Sequence, residues 1–208
     1  MEAACSRISH ARAEVTAHSA GGAPFLLAFG LSIGLVGLGS FWLPTKTAAL
    51  ILMFQGNVAL PLAFLLERRL RWATMAPDNP LRGLAVQLAM SQIAALPMVI
   101  LAWVLAPYTT GVALASVAAG HLVPYGWLHR TRIYLWLGPA VSLGTLAIAA
   151  VLKSEALPWT LLYMSGAYLV AAALLYRHAQ ALRATDLCYA SAPWTPHVPG
   201  VQRQTVTP

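Results

Sequence analysis

Residues 133 to 152 read IYLWLGPAVSLGTLAIAAVL, a run of 20 positions without one Asp, Glu, Lys or Arg. Wound as an α-helix, such a run is about 30 Å long, which is the thickness of the hydrocarbon layer of a bilayer. Five further windows of this kind lie at 24 to 43, 47 to 66, 82 to 106, 109 to 128 and 157 to 176, and the charges collect in short clusters between them. The expected fold is therefore all-α, an integral membrane bundle of six transmembrane helices.

Composition points the same way. Of 208 residues, 59% are hydrophobic and 9% charged, whereas a soluble domain carries about 25% charge. The chain is expected to divide into a cytoplasmic N-terminal segment (1–22), a six-helix transmembrane domain (23–178) and a cytoplasmic disordered tail (179–208) that holds Pro193, Pro196, Pro199 and Pro208. In the first segment Ala4, Ile8, Ala11 and Val15 share a helical face, which suits a short interfacial helix or a frayed leader. The first apolar run begins only near Pro24, after Glu2, Arg7, Arg12 and Glu14, so it reads as a retained anchor and not a signal peptide. Cys5 and Cys188 both lie outside the windows, which gives no disulfide framework and no metal cluster.

Charge asymmetry orients the bundle. Alternate connections place Arg7, Arg12, Arg68, Arg69, Arg71, Arg82, Arg130, Arg132, Arg177, Arg183 and Arg203 on one side, and only Lys46 and Lys153 on the other. The arginine-rich side is expected to be cytoplasmic and to hold both termini. Arg68, Arg69, Arg71, Arg130 and Arg132 are the expected contacts to lipid headgroups, which also accounts for the net charge of +7 without nucleic acid. Trp42, Trp103, Tyr108 and Trp159 at one level, and Trp72, Trp127, Tyr134, Trp136 and Tyr176 at the other, form the two aromatic belts of six crossings. Pro44, Pro107 and Pro158 mark the tight turns opposite the arginines, and Asn79 is placed to cap the third helix with Pro80 at its first position.

Small residues recur at helical spacing as Gly30, Gly34 and Gly37, and as Gly111, Ala115 and Ala119. Such faces let helices approach closely, either within one chain or between copies in a homo-oligomer. The second and fourth helices share an order of polar residue, proline, aromatic, leucine and arginine (Asn57, Pro61, Phe64, Leu65, Arg68 beside His121, Pro124, Trp127, Leu128, Arg130), which leaves open a tandem of three helical hairpins.

Polar side chains at mid-depth are Gln55, Asn57, Ser91, Gln92, His121 and Ser165. In lipid each needs a partner or water. Asn57, Gln92, His121, Tyr125 and Ser165 are the candidates for a midplane pocket, and the bland alternative is that they only hydrogen-bond between helices. His121 is the one imidazole inside a window, and no Asp or Glu accompanies it there, which weakens proton-coupled transport. Paired carboxylates, a Cys and His at membrane depth, histidines at metal spacing and a phosphate-cradling glycine loop are all missing from the sequence, so neither an enzyme nor a cofactor is expected.

Three motifs, Ala59-Leu60-Pro61-Leu62-Ala63, Asn79-Pro80-Leu81 and Gly120-His121-Leu122-Val123-Pro124-Tyr125-Gly126-Trp127-Leu128, carry a likeness over roughly residues 20 to 150. Through them the chain resembles a family of small bacterial integral membrane proteins of unknown function. The resemblance implies a multi-pass protein of the bacterial inner membrane and supplies no substrate or catalytic residue. The expectation is a non-enzymatic membrane protein with a structural or envelope-related role. The alternative is a small transporter or channel whose substrate the sequence does not name.

Overall fold

The computed structural model describes residues 2–71 and 73–190, and every regular element among them is helical. The α-helices are α1 (Glu2–Ser19), α2 (Ala23–Gly39), α3 (Thr45–Phe54), α4 (Gly56–Leu70), α5 (Arg82–Met90), α6 (Leu96–Leu105), α7 (Thr110–Leu128), α8 (Ile133–Leu152) and α9 (Ala156–Ala190).

Among the described residues five helical stretches are long and apolar enough to cross a membrane: Ile8–Gly39, Thr45–Leu70, Arg82–Leu105, Pro107–Leu128 and Ile133–Leu182. The expected count of six is not matched, and the difference lies in the last stretch. It contains both α8 and α9, joined by the 3-10 turn Lys153–Glu155, in which Lys153 has a φ of 50°. The turn is so short that two windows separate in the sequence run on as one helical stretch. The Tyr163 hydroxyl donates to the Ala140 carbonyl at 2.9 Å across this hairpin.

The seam at the centre of the bundle joins α2 to α9. Gly30, Gly34 and Gly37 face Leu169 and Tyr168, Ser165, and Leu161 and Leu162 in turn. A Cβ at Gly37 would stand 3.0 Å from that of Leu161, and one at Gly34 only 2.6 Å from the Ser165 oxygen, so the glycines set the spacing of these helices. The second small face is also used within the chain: Gly111 lies against Thr160, and a Cβ at Gly138 of α8 would meet the Ala119 carbonyl oxygen at 2.9 Å. From α2 the Ser32 hydroxyl donates at 2.6 Å to the amide oxygen of Gln55, the residue that joins α3 to α4.

The third stretch is built differently. No residue of α5 is buried and only Val99 of α6 is. Between them Ser91–Ala95 is a 3-10 segment. Pro97 supplies no N–H to Ile93 and its ring crowds that carbonyl, so a regular helix cannot pass through.

At the arginine-rich end α1 lies across the bundle. Ala20, Gly21 and Gly22, with φ of 48°, 67° and 80°, turn the chain into α2. Gly22 is required twice over, because its φ is left-handed and a Cβ would stand 2.1 Å from the Tyr134 hydroxyl. Ala11 and Val15 are buried while Ile8 is exposed, so α1 rests on protein through part of the face expected for a lipid interface. Asn79 is buried and donates to the Ala11 carbonyl at 3.1 Å and to Glu14 at 2.8 Å. Its own oxygen accepts from the Leu81 N–H at 2.9 Å, so it caps the turn leading into α5 and not the first turn of the helix itself.

Two further expectations need correction. The tail expected from 179 is helical as far as Ala190, because residues 179–190 are rich in alanine and leucine and meet no breaker before Pro193. Tyr134 is not a belt residue: it is 2% exposed, and its hydroxyl donates to the Gly21 carbonyl at 2.9 Å. Trp42, Trp127, Trp136 and Trp159 are exposed as a belt requires. Trp72 and the proline-rich residues 191–208 lie outside the described residues.

Candidate functional site

The loose packing of the third stretch opens a groove-like cavity of about 820 Å³ between it and α7, open along its outer side, where Met98, Leu101 and Leu105 are exposed. Ala95, Ala102 and Ala106 line one wall and Ala113, Ser116 and Gly120 the other. Small residues oppose small residues here, so neither wall fills the space. Met98, Leu101 and Leu105 supply apolar surface towards the Pro107 turn. Ser91, Gln92 and His121 stand at the opposite, mid-depth end. The size falls within the roughly 300–1,000 Å³ typical of small-molecule sites, which are likewise apolar with a few placed polar groups.

Local sequence accounts for the polar end. The 3-10 segment brings Ser91 and Gln92 to the cavity, and each bonds back onto its own helix: the Ser91 hydroxyl to the Leu88 carbonyl at 2.7 Å, the Gln92 amide nitrogen to the Ala89 carbonyl at 3.1 Å. Irregular backbone at membrane depth is tolerated where it lines a cavity, as it does here. On α7, His121 has a buried Nδ1, and its imidazole faces the Val117 and Ala118 carbonyls one turn back on the same helix. Pro124 cannot offer an N–H to the Gly120 carbonyl, four residues before it on the cavity wall. One turn beyond His121, Tyr125 sets its ring 6.0 Å away, edge-on, and its hydroxyl donates to the Ala85 carbonyl at 3.0 Å. That bond ties α5 to α7 below the cavity.

Of the five residues expected to form a midplane pocket, Gln92 and His121 line this cavity and Tyr125 supports it. The other two stand elsewhere. Asn57 is exposed on α4. Ser165 is buried in the α2–α9 seam, donating to the Gly30 carbonyl at 2.7 Å. Arg68, Arg69, Arg71, Arg130 and Arg132 are all exposed, where headgroups could reach them.

A second polar cluster, at the arginine-rich end, has no counterpart in the expectations. His129, 2% exposed, stacks on Tyr125 at 5.8 Å and lies 5.8 Å from Tyr134, with its Nδ1 3.3 Å from the Thr16 hydroxyl. Arg12 sits over the Trp127 ring at 4.6 Å and donates to the Trp127 carbonyl. Burial, with His178 and Arg12 close by, pushes the His129 imidazole down to about 3, so it is neutral at ordinary pH. The cluster fastens α1 to the bundle. Its only sequence signal was the position of His129 just after the Gly126-Trp127-Leu128 run.

A family model described as a family of unknown function, DUF7010, matches residues 8–178. No curated protein and no solved structure matches the chain.

Proposed function

The chain belongs to that family of unknown function, and on that premise we propose that it is a multi-pass, non-enzymatic protein of the bacterial inner membrane that holds a small lipid-soluble molecule. The cavity between α6 and α7 carries this reading, because it combines an extensive apolar wall with a few hydrogen-bonding side chains, Ser91, Gln92 and His121, gathered at its mid-depth end. In the proposed arrangement the last stretch crosses twice, as α8 and as α9, which brings the crossings to six. Both termini then share the arginine-rich, cytoplasmic face. The cavity accordingly occupies the outer half of the bilayer, with its polar end near the midplane.

Reconstitution in nanodiscs tests the binding function. A wild-type protein that retains lipid-soluble material through purification, and an Ala113→Phe variant of the cavity wall that does not, is the expected outcome. Equal retention by both would reject it. Reporter fusions at Pro107 and at the C-terminus test the topology, and an external C-terminus would overturn the orientation.

A second reading, transport of a polar solute, draws on the broken third crossing and on the presence of Gln92 and His121 at its break. Against it, none of the described residues that line the cavity is charged. Vesicles of wild type and His121→Ala separate the two: flux above empty vesicles, lost in the variant, favours transport.

A further inference from the structure

We propose that the occupant of this cavity is an uncharged lipid alcohol, its hydroxyl at the midplane among Gln92, His121 and Gly120 and its chain running towards the Pro107 turn. The proposal rests on the binding function above and adds the chemistry of the head. Three observations lead to it.

The first is charge. Ser91, Gln92, Thr109, Ser116 and His121 provide the polarity of the lining, and no Asp, Glu, Lys or Arg stands among its described residues. A carboxylate or ammonium head at this depth would lack a counter-ion, at a cost of several kcal/mol.

The second is the balance of donors and acceptors. The Ser91 hydroxyl proton goes to Leu88, and one Gln92 N–H goes to Ala89, which leaves the second Gln92 N–H as a donor and the Ser91 lone pairs and the Gln92 amide oxygen as acceptors. The Gly120 carbonyl, which receives no N–H from Pro124, adds another. An imidazole offers one nitrogen as donor and one as acceptor, and that of His121, whose Nδ1 is buried, also faces the Val117 and Ala118 carbonyls of its own helix. Acceptors outnumber donors, so the head must donate a hydrogen bond as well as accept one. A hydroxyl is the smallest uncharged group that does both.

The third is polarity along the bilayer normal. A phospholipid carries its head at the membrane surface and its tails at the centre, whereas this cavity has its amide and imidazole at mid-depth and is apolar towards the surface apart from Thr109, whose hydroxyl proton goes to the Ala106 carbonyl at 2.7 Å. Ordinary phospholipid therefore fits it head to tail the wrong way round. A single-chain alcohol is free to enter with its small head inward.

Photolabelling of the full chain in nanodiscs tests the proposal with three probes that share a diazirine-bearing dodecyl chain and differ in the head: dodecanol, dodecanoate and dodecane. The dodecanol probe should label Leu101, Leu105 or Ala113 saturably, in competition with unlabelled dodecanol. His121→Phe and Gln92→Leu should each weaken that competition about three- to tenfold. His121→Gln, which keeps a donor and an acceptor, should retain it. Size-exclusion profiles matching the wild type show that each variant is folded.

If unlabelled dodecane competes as well as dodecanol, the assignment of the head is wrong while the cavity still binds. If dodecanoate competes best, the uncharged head is wrong. If no probe labels these positions saturably, or if labelling survives Ala113→Phe, the binding function itself falls.

Discussion

The seam between α2 and α9 and the gap between α6 and α7 are made from the same kinds of residue and reach opposite results. Both carry small side chains at helical spacing and a few hydroxyls. In the seam, glycines meet large partners, Tyr168, Leu169 and Leu161, so knobs fill holes and the helices close to contact. In the gap, alanine and glycine on one helix face alanine on the other, and about 820 Å³ stays open. A row of small residues is thus half of a specification. What the facing helix presents decides whether it becomes an interface or a cavity.

Substitutions on the two sides should therefore behave differently, most of all where bulk is added. Gly37→Leu forces a side chain against Leu161 and the Leu162 backbone. It should cost about 3 kcal/mol, read as a fall in the unfolding midpoint in detergent. A loss under about 0.5 kcal/mol would mean that the seam is not closed.

Acidification should loosen the α1 cap while leaving the seam alone. His129 is held neutral, with its folded value pushed down to about 3 from an ordinary value near 6.5. Above about 6.5 both states are neutral and stability does not change with pH. Between the two values the unfolded chain takes up a proton that the folded chain refuses, so stability falls as pH falls, by about 1.4 kcal/mol per pH unit for this group. His129→Phe should flatten that part of the unfolding profile.

Ser165→Ala removes the hydroxyl that donates to Gly30 and should cost about 1 kcal/mol. The same hydroxyl is what a side chain at Gly34 would strike. Gly34→Ala should consequently be less damaging in the Ser165→Ala background than alone, and a double-mutant cycle showing strict additivity would refute the contact. The smallest effect belongs to the gap. Gly120→Ala adds a Cβ with nothing within 4 Å, and should stabilise the protein by about 0.5 kcal/mol through helix propensity alone.

Hydropathy and charge made most of the fold legible, because crossing a bilayer constrains every residue of a window in the same way. What windows could not convey was continuity: the Lys153 turn is tight enough to merge two windows, and Pro97 with its preceding 3-10 segment divides one. Within the site, Gln92 and His121 stood out because polar side chains are rare at that depth. Asn57 and Ser165 stood out equally, yet depth along the normal says nothing about direction around a helix, and they point elsewhere. His129, Tyr134, Thr16 and Arg12 were hidden for another reason. Their contacts join residues 113 to 115 positions apart, at helix ends where polar residues are ordinary.

That separation also sets an order of assembly. The partners of α1 arrive in two instalments: Met75 and Asn79 follow the second membrane stretch, but Trp127, His129 and Tyr134 come only at and after the end of the fourth, so most of the surface that α1 docks on is missing when it leaves the ribosome. Contacts of long sequence separation form late. The turn at Ala20, Gly21 and Gly22 lets α2 take its place in the membrane while α1 waits at the surface, and closure over His129 then becomes a final step of folding.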